Sequence, residues 1–214
     1  NESKNKDNLI TPINPTPVIG MVGKIDNVEK AVSSKWKNIN DQIWLIGSYK
    51  SETTIAASSY LEYFHGQITG RPPKIDLQDE KSCQGLLRNA INKSLVASCH
   101  DISDGGLAIA LAECCILSSK GAVIELKQDI NRVDNLLFAE GGSRIIFSID
   151  KMKEKEWLDY LNKNQINSQQ SIYVKKIGYV FGETLNIKVQ DKNISNLRVE
   201  ELTEKFNNSI SGHC

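Results

Sequence analysis

The sequence predicts an α+β fold, a mixed β-sheet with helices packed on it. Three observations carry this. First, short segments alternate apolar and polar residues with the period of two that a half-buried strand requires: Ala122, Ile124 and Leu126; Ile145, Phe147 and Ile149; Leu185, Ile187 and Val189. Second, between them run segments whose apolar residues recur at helical spacing, such as Cys83, Leu86, Leu87, Ala90 and Ile91. Third, strands and helices are interleaved but end on two neighbouring strand segments, which is the order of a mixed sheet rather than of a purely parallel one.

The elements follow in chain order. Residues 1–16 are polar and punctuated by proline, with Pro12, Pro15 and Pro17 favouring an extended path. Val18–Gly23 reads as a strand, and Val28–Trp36 as a short helix or strand before the polar stretch Lys37–Gln42. Forty residues cannot enclose a core, so residues 1–40 are expected to be the end of a second, incomplete α+β domain, and residues 41–214 a complete one. In that second unit Ile43–Gly47 is a strand and Ser58–His65 a modest helix. The extended Gly70-Arg71-Pro72-Pro73 leads into a strand-like Lys74–Leu77, and Asp79 is placed to cap the helix carrying Cys83. Val96–Cys99 is a strand, and Gly105-Gly106 turns the chain into a helix with Leu107, Leu111 and Cys114 or Cys115 facing inward. After the strand ending at Ile149, Asp150 caps a helix with Met152, Trp157, Leu158 and Leu161 on its inner side. Ile177–Phe181 and Leu185–Val189 are joined by Gly182-Glu183-Thr184, the pattern of a hairpin with a three-residue loop. Val199, Leu202 and Phe206 mark a last helix.

Composition narrows the function. Among 214 residues Lys plus Arg number 26 and Asp plus Glu number 26, a formal net charge of zero. Nucleic-acid binding draws on a basic excess or a clustered basic face, and even the Lys151–Lys155 run is interrupted by Glu154. Apolar runs are too short for a membrane span, and the polar start lacks the apolar stretch of a signal peptide, so the cytoplasm is the expected compartment. The five cysteines are odd in number, two are adjacent and none forms a C-x-x-C pair, which fits reduced thiols rather than a disulfide framework or a zinc site. The three histidines are scattered, and no Ser-His-Asp arrangement suggests nucleophilic catalysis.

Two segments could carry chemistry. In Cys99-His100-Asp101-Ile102-Ser103-Asp104-Gly105-Gly106, glycines permit close backbone approach where a helix opens, and the first amides of a helix attract anions. A carboxylate beside a phosphate is repulsive unless it holds a hard cation such as Mg²⁺. Plain capping by Ser103 or Asp104 explains the same residues structurally. In Phe138-Ala139-Glu140-Gly141-Gly142-Ser143-Arg144, Glu140 and Arg144 could pair or reach a ligand; the structural alternative is a loop entering an edge strand with a surface ion pair.

Taken in order, Pro15-Thr16-Pro17-Val18-Ile19-Gly20-Met21-Val22-Gly23, Gly70-Arg71-Pro72-Pro73, Ile75-Asp76-Leu77, His100 to Ala108 and Glu140 to Arg144 resemble the phosphoribosylformylglycinamidine synthase family. The resemblance implies an AIR synthase C-terminal-like (B-type) domain with α/β/α layers over 41–214, preceded by the end of an A-type domain. It implies an ATP-dependent carbon–nitrogen ligase of purine biosynthesis: ATP activates the amide oxygen of formylglycinamide ribonucleotide, and ammonia from glutamine displaces the phosphate. ATP or ADP and Mg²⁺ are the implied cofactors. Matching the family's H-D-x-S-D-G-G segment residue by residue makes Asp101 a metal contact and Ser103 a nucleotide contact; Gly105 and Gly106, read from the turn itself, join Ser103 as expected nucleotide contacts. The family's catalytic histidine matches nothing here, so no catalytic residue is assigned and the chain alone is expected to be inactive. The family often has Glu-Ser-Gln-Ser-Arg where this chain has Glu140-Gly141-Gly142-Ser143-Arg144, and Gly-Gly-Ser-Glu-Tyr where it has Ala56-Ala57-Ser58-Ser59-Tyr60. The first departure removes the Gln side chain and fits a role away from substrate; the second replaces the Glu, so any acidic role there is lost. A chain ending at Cys214 without a glutaminase domain resembles the small, multi-subunit form, whose expected partners are a glutaminase subunit and a small bridging subunit. Aminoimidazole ribonucleotide or selenophosphate synthetases, the nearest alternatives, would carry T-G-G-G or T-G-F-G in place of Ser103-Asp104-Gly105-Gly106. A non-catalytic assembly domain is the alternative outside enzymes.

Overall fold

The computed structural model describes residues 2–4, 10–12, 17–48, 54–127, 132–166 and 172–209. Its elements in chain order are β1 (Glu2–Lys4), β2 (Ile10–Pro12), β3 (Gln42–Ser48), α1 (Ser59–His65), α2 (Leu77–Asn92), β4 (Ser98–Asp101), α3 (Gly106–Ser118), β5 (Ala122–Leu126), α4 (Val133–Phe138), β6 (Ile145–Ile149), α5 (Glu154–Ile166), β7 (Ile172–Val180), β8 (Thr184–Val189), β9 (Lys192–Arg198) and α6 (Val199–Asn208). β1 and β2 pair with each other, and the other seven strands form one sheet in the order β4-β6-β3-β7-β5-β8-β9. Every pairing in it is antiparallel except β5 with β8. The sheet is mixed, with helices on both faces.

Alternation along the strands builds two cores. On one face Ile43, Leu45, Ile124, Ile146, Ile177 and Ile187 meet Leu107 and Leu111 of α3, Leu136 and Leu137 of α4, and Val199 of α6. On the other Trp44, Ile46, Phe147 and Ile149 meet Cys83, Leu86 and Leu87 of α2 and Trp157 and Leu161 of α5. Trp157 is fully buried, edge-on to Trp44 and Phe147 at ring separations of 5.8 and 5.2 Å. Such pairs add about 0.5–1.5 kcal/mol each beyond the area they bury.

Several expected elements take another form. Val18–Gly23 forms no strand: Val18, Ile19, Met21 and Val22 are almost wholly exposed and pair with nothing among the described residues. Within Val28–Trp36 only Val28–Lys30 is helical, as a single 3₁₀ turn. Lys74–Leu77 is not a strand, because the Asp76 carboxylate accepts from the amides of Gln78 (2.9 Å) and Asp79 (3.1 Å) and so starts α2 at Leu77. Asp76, not Asp79, is the cap. The strand expected at Val96–Cys99 lies two residues later. Asp150 caps a 3₁₀ turn ahead of α5, and Met152 and Leu158 point outward while Trp157 and Leu161 point inward. Phe206 is half exposed on α6.

The expected hairpin between Ile177–Phe181 and Leu185–Val189 does not close. β5 lies between its two arms, with Ala122 opposite both Val180 and Leu185. Gly121 makes this insertion feasible: its N–H donates to Gly182 O at 2.7 Å, and a Cβ there would lie 2.4 Å from Thr184 O. The partner of β8 is instead β9, reached through Gln190 and Asp191, both at positive φ.

Candidate functional site

Four of the segments singled out in the sequence converge beyond the carboxyl end of β4. β4 delivers His100 and Asp101, and the turn Ile102–Gly105 opens α3. The N-cap of α3 is Gly105 at φ 77°, with no side-chain cap, so neither Ser103 nor Asp104 caps the helix as the structural alternative had it. Ser103, Asp104 and the Asp101 carboxylate face solvent, the last 76% exposed. His100 lies beneath them, its side chain 16% exposed, with Nδ1 3.4 Å from Asp101 Oδ1 and Nε2 3.0 Å from Glu113 Oε2 on α3.

The loop after α4 closes over this turn. Arg144 is buried at 7% exposure and donates through Nε to Gly141 O at 3.2 Å and through Nη2 to Ala139 O. Burial pushes its guanidinium down to about 10, which leaves it charged at neutral pH. It enters β6, an interior strand between β4 and β3, so this is neither an edge strand nor a surface ion pair. Glu140 and Arg144 therefore do not pair as the sequence allowed. Folded around Arg144, the loop aims Glu140 at the start of two helices: Oε1 accepts from the N–H of Gly105 at 2.7 Å and of Ser59 at 2.8 Å.

Glycine is required at two points. Gly106 has φ 70°, and a Cβ there would lie 2.7 Å from Ala139 O and 2.8 Å from Leu137 O, so α3 meets the loop backbone to backbone. Gly141, at φ 109°, packs on Pro73, which brings in the Gly70–Pro73 segment. Ala57 N donates to Thr69 O at 2.8 Å and adds the fourth segment. A cleft of about 360 Å³ opens between Ala56–Ala57, Pro72–Pro73 and Glu140–Gly142.

The chemistry of the turn follows from which groups are engaged. Gly105 N–H is held by Glu140, and Gly106 N–H donates to Ser103 O at 3.0 Å. Both glycine amides nominated for a nucleotide thus have partners within the chain, and Asp101 and Ser103 are the groups turned outward. Among the described residues no group of three or more His, Cys, Asp or Glu is arranged to hold a metal. Asp101 alone fits Mg²⁺ only as one ligand to an ion already carried by phosphates, a common mode for this cation. The described thiols are held protonated: burial pushes Cys83, Cys99 and Cys115 up to about 11, and Cys114 further, well above a reactive range. Sequence reasoning missed Ser59 and the burial of Arg144. An arginine two residues after Gly-Gly, running into an apolar strand, was the available sign of the second; the long-range contact of Ser59 left none.

Comparison with known proteins shows the family. Residues 38–187 match the family model for AIR synthase related protein, C-terminal domain. Phosphoribosylformylglycinamidine synthase subunit PurL of Prochlorococcus marinus strain MIT 9312 is 81% identical over 213 residues, covering all of this chain and 27% of that protein. The same subunit from strain MIT 9313 is 41% identical over 218 residues, covering 98% of this chain and 28% of its own length. The chain therefore spans little more than a quarter of these relatives. Two solved structures share its fold: T. maritima PurL complexed with ATP (TM-score 0.61, 16% identity, 82% of this chain and 28% of that one) and with FGAR (TM-score 0.62, 17% identity, 82% and 30%). The match over 38–187 spans the sheet from β3 into β8 and includes the Asp101–Gly106 turn and the Glu140 loop. The chain belongs to the AIR synthase related proteins, as a member of their C-terminal domain family.

Proposed function

We propose that this chain is part of the synthetase subunit of phosphoribosylformylglycinamidine synthase, the ligase that turns formylglycinamide ribonucleotide, ATP and glutamine into the amidine, ADP, phosphate and glutamate. The single observation that carries the reading is 81% identity, along the whole chain, to the P. marinus subunit of that name. On this reading residues 41–214 are a B-type domain and residues 1–40 the end of an A-type domain, whose exposed Val18–Val22 pairs with strands elsewhere in the longer polypeptide. The compartment is the cytoplasm, in keeping with the absence, among the described residues, of a helix long and apolar enough to cross a membrane. A glutaminase subunit and a small bridging subunit complete the enzyme; a complex titled PurLQS from Thermotoga maritima supports that view.

The turn at the end of β4 is the proposed nucleotide-facing element. Asp101 would supply one oxygen ligand to Mg²⁺ held with the phosphates, and the Ser103 hydroxyl a hydrogen bond to them. Bound there, Mg²⁺ would neutralise phosphate charge. His100 stands between the two carboxylates, its Nδ1 3.4 Å from Asp101 Oδ1 and its Nε2 3.0 Å from Glu113 Oε2. A second reading, in which this domain only braces the assembly, is favoured by the engagement of both glycine amides within the chain.

The test is exchange within the P. marinus subunit. Deleting the stretch equivalent to residues 41–214 is expected to abolish ATP- and glutamine-dependent amidine formation, and inserting this chain's residues to restore it. A fully active deletion variant overturns the assignment. Asp101→Ala in the restored protein separates the two readings: a nucleotide role loses Mg-ADP binding at this turn, whereas a bracing role leaves it unchanged.

A further inference from the structure

The Glu140 carboxylate sits where an anion would sit. Its Oε1 is 2.7 Å from the N–H of Gly105, which opens α3, and 2.8 Å from the N–H of Ser59, the first residue of α1. The two amides belong to segments 46 residues apart in the chain. Charge-assisted bonds of this length are about twice as strong as neutral ones, and both amides lie at helix starts, where partial positive charge concentrates. The carboxylate is held in place from behind, because buried Arg144 gathers the carbonyls of Ala139 and Gly141 on either side of Glu140. Gly106 lets that loop touch α3 directly, leaving no room between them for a bound group.

We propose that Glu140 is a positioning residue, the internal anion of the Asp101–Gly106 turn. It ties the turn to α1, fixes the backbone from which Asp101 and Ser103 project, and keeps an external phosphate off the Gly105 amide. A nucleotide at this turn is thereby restricted to its Asp101 and Ser103 side; that last consequence rests on the nucleotide reading above, and the clasp itself does not.

The experiment follows the backbone amide resonances of Gly105 and Ser59 in the ¹⁵N-labelled chain, as wild type, Glu140→Ala and Glu140→Gln, titrated with inorganic phosphate and then with Mg-ADP. In Glu140→Ala both resonances are expected to move together, and phosphate to shift Gly105 saturably with at least tenfold greater affinity than in wild type. Glu140→Gln keeps an acceptor oxygen and is expected to restore insensitivity to phosphate. Tyr160→Phe removes an unrelated buried bond to Leu86 O; it is expected to lower the melting temperature without moving either resonance, as a merely structural change would. Phosphate binding at Gly105 in wild type, or a folded Glu140→Ala whose Gly105 amide ignores phosphate, overturns the proposal. Should Glu140→Ala not fold, Glu140→Gln decides: loss of the charge must shift both amides upfield together, and an unmoved pair overturns it. Mg-ADP reports separately. If it leaves Asp101 and Ser103 unperturbed while the Glu140 results hold, the nucleotide reading falls and the clasp stands.

Discussion

Gly105 and Gly106 are adjacent, and both sit at positive φ, yet they answer to different constraints. At Gly105 an added Cβ would meet only Ile109, 2.4 Å from its Cγ1, which can rotate, and 2.9 Å from its Cβ, which moves only with the helix backbone. The cost of alanine there is the left-handed backbone, about 1–2 kcal/mol, together with a local shift at Ile109. At Gly106 the Cβ would meet the backbone of Leu137, Phe138 and Ala139, which cannot move without displacing Glu140 from its two amides. Gly106→Ala is therefore expected to cost about 3 kcal/mol or more and Gly105→Ala distinctly less. Urea unfolding of both variants checks this, and equal losses would show that the loop does not press on α3. In the sequence the pair suggested amides offered to a phosphate. That both need a left-handed backbone while Gly106 is pressed as well by the backbone of a loop more than thirty residues away is something no local pattern reveals.

At the scale of elements, core periodicity was legible, capping only in part, and sheet order not at all. Cys83, Leu86, Leu87 and Ala90 all reach the core as their spacing requires, because a helix face is fixed within a few residues. The start of α2 was obscured by the strand-like Lys74–Leu77, whose apolar residues Ile75 and Leu77 are in fact exposed at 67 and 78%. Asp76 overrides them by satisfying two of the helix's free amides. Asp76→Ala is expected to lower stability by about 1 kcal/mol, read from the thermal midpoint, and Asp76→Asn to recover most of it. A midpoint unchanged in Asp76→Ala would leave α2 without the cap assigned to it. The two departures in the sheet have separate physical causes. A short Gly-containing loop between two apolar runs favours a hairpin, but nothing within those runs reports that Gly121 lets β5 slip between them. β9, Lys-Asn-Ile-Ser-Asn-Leu-Arg, lacks regular alternation because it is an edge strand with little to bury.

For the whole molecule, the question is where the packed unit begins. The family match starts at residue 38, but Trp36 is only 2% exposed, belongs to the core beside α3, and donates from Nε1 to Cys115 Sγ at 3.5 Å. Just upstream, Ser33 O accepts from Cys99 N at 3.0 Å and so covers part of the free edge of β4. The described residues from 17 to 30, by contrast, are exposed throughout. Removing residues 1–27 should therefore leave the core intact, whereas removing 1–37 takes out a buried tryptophan. By analogy with core Trp→Ala changes that loss is worth about 3–5 kcal/mol, a large share of the roughly 5–15 kcal/mol that a domain has in total. At about 2–4 °C per kcal/mol for a chain of this size, the shorter protein is expected to melt some 6–20 °C lower. Trp36→Ala in the longer protein should reproduce most of that drop. Equal melting points for the two truncations would instead mean that Trp36 adds nothing to the core it enters, and the packed unit would then start at residue 38.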